Sequence, residues 1–242
     1  MRLGFHPPVH LEGMLFDYGG TLDGPASHWF DRFVEIYADA GVEMSAERLK
    51  PAFYAADDAA YADRRIAEMS LGELMEFHVG VQHTRLGIDD SGLRRRLADT
   101  FVSRSYAALA DSRAVLEQLA PRYRLGVVSN FYGNVGRILS DAGIAPLLTV
   151  IADSNRVGAM KPDRRIFDHA LAGLGTPPAA TLHVGDSHPR DVCAARALGL
   201  RTAWLVAPER GITSDPDADL VITSLDDLLI AADPLTPERA SR

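Results

Sequence analysis

Several polar side chains in this chain stand directly where apolar runs end. "MLF" leads into Asp17, "LGVV" into Ser129 and Asn130, and "TLHVG" into Asp186, with Asp191 five residues further on. Lys161 stands immediately before Pro162, at a point where a helix can begin. As a set, these residue types suit phosphoryl transfer. A carboxylate such as Asp17 can attack phosphorus and hold the phosphoryl group as an aspartyl-phosphate. Attack by an anion on an anion needs neutralising charge. A hard, oxygen-seeking Mg²⁺ bound by Asp17 and Asp186 would supply it, together with the Lys161 ammonium. The Ser129 hydroxyl and neighbouring amides, that of Asn130 among them, can donate to the transferring oxygens. Gly19 and Gly20, after the carboxylate, let the backbone approach a ligand closely and turn sharply. Lysine occurs only at Lys50 and Lys161 among basic residues that are otherwise arginine, which singles out Lys161.

Each residue also has a structural reading when taken alone. Asp17 reads as a turn residue before Gly19 and Gly20, Ser129 as a strand-end hydroxyl or helix cap, Lys161 as a solvated loop charge, and Asp191 as a first-turn carboxylate favoured by the helix dipole. Their joint placement at strand ends favours one shared site, because ligands of an open parallel sheet bind outside the carboxyl ends of its strands.

The elements that must position these residues follow from periodicity. After Asp111 the sequence alternates amphipathic helical stretches ("AVLEQLA", "VGRILSDAG", "RRIFDHALAGLG", "RDVCAARALG", "LDDLLIAA") with short apolar runs ("YRLGVVSN", "LLTVIA", "TLHVGD", "RTAWLV", "ADLVI"). That alternation predicts a doubly wound α/β fold with a parallel sheet covered on both faces. A first strand around Gly13 to Asp17 must join the same sheet, since alone it would leave its backbone groups unpaired. Between them, from about Ala26 to Ala108, Trp29, Phe33, Ile36 and Tyr37, then Leu71, Leu74, Met75 and His78, recur at helical spacing. This block predicts about four helices inserted over the sheet. The expected division is a core of residues 12–24 and 109–235 and a helical cap of residues 25–108. Residues 1–11 read as a loose leader, and "PLTPERASR" as a frayed tail.

Length and composition agree with a globular α/β protein. The chain has 242 residues, 47% of them hydrophobic and 24% charged, enough for one α/β domain with an insertion. A net charge of −8 argues against nonspecific nucleic-acid binding, which relies on basic patches. No apolar run approaches the length of a membrane span and no signal-peptide pattern opens the chain, so a cytoplasmic protein is expected, as monomer or homodimer. The single cysteine, Cys193, cannot form an internal disulfide and reads as a small buried thiol.

The motifs resemble those of the haloacid dehalogenase superfamily, in its capped phosphatase-like branch. "FDYGGTL", "VVSN", "VGAMKPDRRIF" and "HVGDSHPRD" match the family's four motifs in order, and the similarity runs from Gly13 over nearly the whole chain. The resemblance implies that Asp17 is a nucleophile and Ser129 a phosphate ligand. It further implies that Lys161 neutralises charge, that Asp186 is a magnesium ligand, and that Asp191 belongs to the metal site, orienting the metal shell or Lys161. The implied activity is Mg²⁺-dependent hydrolysis of a small phosphorylated metabolite. The alternatives are a phospho-ligand-binding protein with little catalysis and, because the metal-binding Asp186 is retained, less readily a dehalogenase.

One position departs from the pattern. Family phosphatases carry a second aspartate, two residues after the nucleophile, that protonates the leaving group; here Gly19 stands there. Glycine keeps the backbone carbonyl through which that position meets Mg²⁺ in the family, but it removes a proton donor whose contribution is typically ~10²- to 10⁴-fold in rate. Asp23 and His188 are the nearest substitutes by sequence, each with a bland rival as turn residue and surface imidazole. A cap lysine of the phosphonate-hydrolase kind could come only from Lys50, directly before Pro51. Alternatively, the substrate has a leaving group that departs without a proton. Trp29, Phe131 and Tyr132 are candidate lining for the substrate.

Overall fold

The computed structural model describes residues 10–24 and 26–231; most of the expected leader and the expected tail lie outside the described residues. Strands β1 (Gly13–Phe16), β2 (Arg124–Ser129), β3 (Leu148–Asp153), β4 (Thr181–Gly185), β5 (Arg201–Leu205) and β6 (Leu220–Ile222) form one sheet in the order β3-β2-β1-β4-β5-β6. Every pairing is parallel. The doubly wound α/β architecture expected from the alternation is therefore the observed one.

Side chains of a strand alternate between the two faces of its sheet, and both faces here are covered. Met14 and Phe16 of β1, with Leu125 and Val127 of β2, join the larger core on one face, whereas Leu15 and Val128 join a second core on the other. The second core includes Ile166, Phe167 and Ala170 of the amphipathic helix α7 (Arg164–Leu174) and Ala194 and Ala195 of the short helix α8 (Ala194–Ala197).

Between β1 and β2 run α1 (Trp29–Asp39), α2 (Ala46–Ala62), α3 (Leu71–Leu86) and α4 (Ser91–Leu119). Their ends carry local signals: Ser45 caps α2, Asp90 caps α4, and Ser70 with Glu73 makes a reciprocal capping box on α3. Phe33 of α1 stacks on Phe101 of α4 at 4.8 Å, and Phe53 of α2 packs near both Phe33 and His78. Helix α4 continues unbroken through the boundary expected at residue 108 and reaches the turn that follows β1, where Ser112 Oγ donates to Leu22 O at 2.7 Å.

One element differs from expectation. The stretch "RDVCAARALG" is not a single α-helix: His188–Cys193 winds as a π-helix before α8 begins. Pro189 at its start offers no backbone donor, and the wide turn carries the Asp191 side chain back beneath β4.

Candidate active site

Strands β1, β2 and β4 are neighbours at the centre of the sheet, and β1 is where the order of connections reverses. Phe16 lies opposite both Val127 and Val184, so Asp17, one residue beyond, and Ser129 and Asp186, each two residues beyond, emerge at the same end of the sheet. Asp17, Ser129 and Asp186 thus meet at one edge of the sheet, where an open α/β fold binds its ligands. Lys161 reaches the same point from the loop after helix α6 (Ser154–Val157). A cavity of about 330 Å³ opens there, between the sheet and the helices, and Asp17, Gly19, Ser129, Asn130, Lys161, Asp186 and Asp191 all line it.

The charged cluster is tightly bonded. Lys161 Nζ lies 2.8 Å from Asp17 Oδ1 and 2.6 Å from Asp191 Oδ1. Asp191 also accepts from Ser187 N at 3.0 Å and pairs with His183 Nε2 at 3.1 Å, so both of its oxygens are engaged. Burial alone would lower the Lys161 pKa, but Asp17 and Asp191 more than offset it and the ammonium is held above its usual range. Burial would raise Asp191; Lys161 and His183 outweigh it and keep this carboxylate below its usual range.

The other two carboxylates behave oppositely. Asp17 is pushed up by burial and by Asp191, against the pull of Lys161. Asp186 is pushed up to about 8, by burial first and then by Asp17 and Asp191. Three carboxylates share one ammonium, and one oxygen from each lies within 4.8 Å of the others. Desolvated hard oxygens short of positive charge are the donor set that a hard divalent cation such as Mg²⁺ takes.

The two glycines differ in kind. Gly20 has φ +82°, and a Cβ there would lie 2.7 Å from Asp186 Oδ2, so both its backbone and the approach of Asp186 require glycine. Gly19 has no left-handed φ, and an added Cβ would meet only Trp29 Nε1, at 3.8 Å. The absence of a side chain at position 19 is not imposed by the backbone.

Neither substitute acid holds its place. Asp23 is fully buried and accepts from Gly20 N (2.8 Å), Trp29 Nε1 (2.6 Å) and Arg32 Nη1 (2.9 Å). The turn after Tyr18, whose carbonyl accepts from the amides of Thr21, Leu22 and Asp23, folds this carboxylate under the glycine loop, away from the cavity. Asp23 is a clip that fixes the loop to α1. His188 points to the other side of its π-helix, against Trp204 and Asp215, and does not line the cavity. Lys50, exposed on α2, does not line it either. Trp29, Phe131 and Tyr132 do line it, all three largely buried. The Asn130 side chain spends itself on Lys161, donating to its carbonyl at 2.9 Å and accepting from its amide at 2.7 Å. Cys193 is half-buried and free, not a buried core thiol.

Several lining residues escaped the sequence reading. His28 caps α1 by accepting from Phe30 N through Nδ1, and its pKa is lowered by burial and by Arg190. Asp57 of α2 accepts from Tyr132 Oη and from His78 Nε2 (3.2 Å); Gln82 in turn donates to His78 Nδ1 at 2.8 Å. Arg190 contributes a guanidinium at the rim. His183, inside "TLHVG", orients Asp191 from beneath. A histidine or aspartate on a helical face gives no periodic signal of pointing at a strand end elsewhere in the chain; only the position of His183 just before "VGD" hinted at its role.

Comparison with known proteins fits this geometry. A family model described as haloacid dehalogenase-like hydrolase matches residues 11–199. The chain is 30% identical over 236 residues to haloacid dehalogenase-like hydrolase domain-containing protein 3 of Danio rerio, covering 91% of this chain and 96% of that protein. It is 33% identical over 144 residues to phosphoserine phosphatase of Thermus thermophilus, covering 57% of each. Solved structures of phosphatases and dehalogenases alike share the fold. A dehalogenase in an intermediate complex, for instance, superposes with a TM-score of 0.60 at 22% identity, covering 91% of this chain and 96% of its own.

Proposed function

The chain belongs to the haloacid dehalogenase-like hydrolases, and from that premise we propose that it is a Mg²⁺-dependent phosphatase of a small phosphorylated metabolite, working through an aspartyl-phosphate on Asp17. The observation that carries this reading is the carboxylate cluster. Asp17 lies at the strand end beside Lys161, and Asp186 stands nearby with its pKa raised to about 8 by burial and uncompensated charge. Such a pair fits a divalent cation and a phosphoryl group, whereas displacement of halide by Asp17 would have no use for Asp186. The phosphoserine phosphatase of Thermus thermophilus lends support as a relative.

In this reading Asp17 Oδ attacks phosphorus, the alkoxide or carboxylate of the substrate leaves, and water then hydrolyses the phosphorylated Asp17. Lys161, fixed by Asp191 and by the Asn130 clamp, offsets the charge of the nucleophile and of the transferring oxygens. The Ser129 hydroxyl and the Asn130 backbone amide donate to those oxygens, and Gly20 lets the backbone approach them. Asp17 and Asp186 would hold the Mg²⁺ with the Gly19 carbonyl, and Asp191, its oxygens already engaged, acts through Lys161. When bound, the cation adds positive charge where the phosphoryl oxygens gather. Residues 12–24 and 109–235 form the catalytic domain, and residues 25–108 cap it, supplying Trp29, His28 and Asp57 to the cavity wall.

Gly19 shapes the substrate range. With Asp23 clipped under the loop and His188 facing away, no carboxylic acid stands beside the leaving group at the family's usual position. Substrates whose leaving group departs as a stable anion, acyl phosphates and anhydrides above all, suit such a site. The test is steady-state turnover of acyl, aryl and alkyl phosphates with Mg²⁺ and with EDTA. Mg²⁺-dependent release of phosphate, fastest from acyl and aryl phosphates, is expected. Turnover untouched by EDTA would overturn the metal assignment, and none with any phosphate would overturn the phosphatase reading.

A further inference from the structure

Away from the cavity, His188, Cys193 and Asp217 bring an imidazole nitrogen, a thiol sulfur and a carboxylate oxygen within 4.8 Å of one another. None of the three lines the cavity around Asp17. We propose that they form a second cation site, one for a borderline-soft divalent transition metal of the Zn²⁺ kind.

The ligand set is the first argument. Thiolate and imidazole with one carboxylate select Zn²⁺ and its neighbours over Mg²⁺ or Ca²⁺, and three protein ligands leave a fourth tetrahedral position to water. Geometry is the second. Cys193 Sγ lies 3.4 Å from His188 Nδ1. A tetrahedron built on Zn–S of about 2.3 Å and Zn–N of about 2.0 Å would place the two atoms about 3.5 Å apart. The outer partner is the third. His188 Nε2 sits 3.0 Å from Asp215 Oδ1, so the ring donates its Nε2 proton there and turns the Nδ1 lone pair toward Cys193. A carboxylate holding the far nitrogen of a histidine is the usual support of a metal-bound imidazole. The ring is also fixed by its edge-on contact with Trp204, at 4.7 Å between centroids.

Asp217 is the adjustable member. Half-exposed, it faces Arg196 Nε at 3.9 Å, a loose surface pair that yields at little cost when a cation arrives. Binding exchanges the Cys193 thiol proton, released to solvent, for the metal; no electron moves. A thiol nucleophile of the Cys–His–carboxylate kind is the competing use of these groups, but they stand outside the cavity around Asp17 where a substrate would be held.

Because Cys193 is the chain's single cysteine, a sulfur-to-cobalt charge-transfer absorption on adding Co²⁺ reports on this site alone. The experiment titrates Co²⁺ into the full chain under reducing conditions with excess Mg²⁺, so that hard carboxylate sites are filled. The expected result is that absorption, saturating at one cation per chain, displaced by Zn²⁺, retained in Asp17→Asn and lost in Cys193→Ser and His188→Ala. Asp215→Asn should weaken the apparent affinity about 10- to 100-fold while the band itself remains. Absence of the band would overturn the proposal, as would a band unaffected by His188→Ala, or saturation at one cation per two chains, which would mean a cation held between the thiolates of two molecules.

Discussion

Lys161 and Asp17 form an ion pair of 2.8 Å in which the ammonium is 2% and the carboxylate 11% exposed. The same ammonium is committed to Asp191, while burial first, and then Asp17 and Asp191, push the Asp186 pKa up to about 8. If this site takes Mg²⁺ as proposed, the cation must compete with a proton. Below pH 8 the metal-free site holds a proton on Asp186 that Mg²⁺ has to displace; above it the carboxylate is already ionised. Apparent Mg²⁺ affinity should rise with pH by up to about tenfold per unit and level off above pH 8. Calorimetric titration across that range checks this, and a flat profile would contradict it.

Stability follows the same proton. A carboxyl whose native pKa lies above its unfolded value stabilises fully at low pH and loses that contribution as pH rises from about 4 to about 8. The metal-free protein should lose this increment over that window, and the rise in Tm produced by Mg²⁺ should be larger above pH 8 than well below it. Thermal melts with Mg²⁺ and with EDTA measure both.

Gly19→Asp restores an acid where the backbone admits a side chain. It should raise turnover of alkyl phosphates selectively, by at most ~10²- to 10⁴-fold, and change acyl phosphates little. One other titratable group in the cavity is His28, whose Nδ1 is occupied by Phe30 N. Efficient alkyl-phosphate hydrolysis by the wild type, lost in His28→Asn, would refute the missing acid and identify its substitute.

Asp23 should matter for folding rather than for proton transfer. Asp23→Asn leaves Arg32 buried without its counter-ion, a loss on the order of 3–5 kcal/mol, and the Tm should fall by roughly 10 °C. The leaving-group dependence among phosphates should stay as in the wild type. A folded variant with unchanged Tm but selectively lost alkyl-phosphate turnover would return Asp23 to the acid's role.

How far the sequence was legible depended on the kind of signal. Residues at strand ends could be read because a strand has one direction and a parallel sheet one functional edge; Asp17, Ser129 and Asp186 meet there. Residues in turns could not. Asp23 lies six positions from Asp17 and His188 two from Asp186, yet one is folded under the glycine loop by the amides that converge on Tyr18 O, and the other is rotated outward by the π-helix that brings Asp191 in. The helical wall was legible only as a bundle. Which of its polar residues face the cavity depends on how α1 and α2 cross the sheet, and His28 and Asp57 became apparent only from that packing.

In the proposed reaction Asp17 carries the phosphoryl group. The most direct measurement compares wild type with Asp17→Asn, using the best phosphate substrate of the panel, saturating Mg²⁺, and circular dichroism to verify folding. The amide keeps the shape of the side chain but cannot attack phosphorus, so turnover should fall to background in a folded protein. Turnover by folded Asp17→Asn at the wild-type rate would contradict the account.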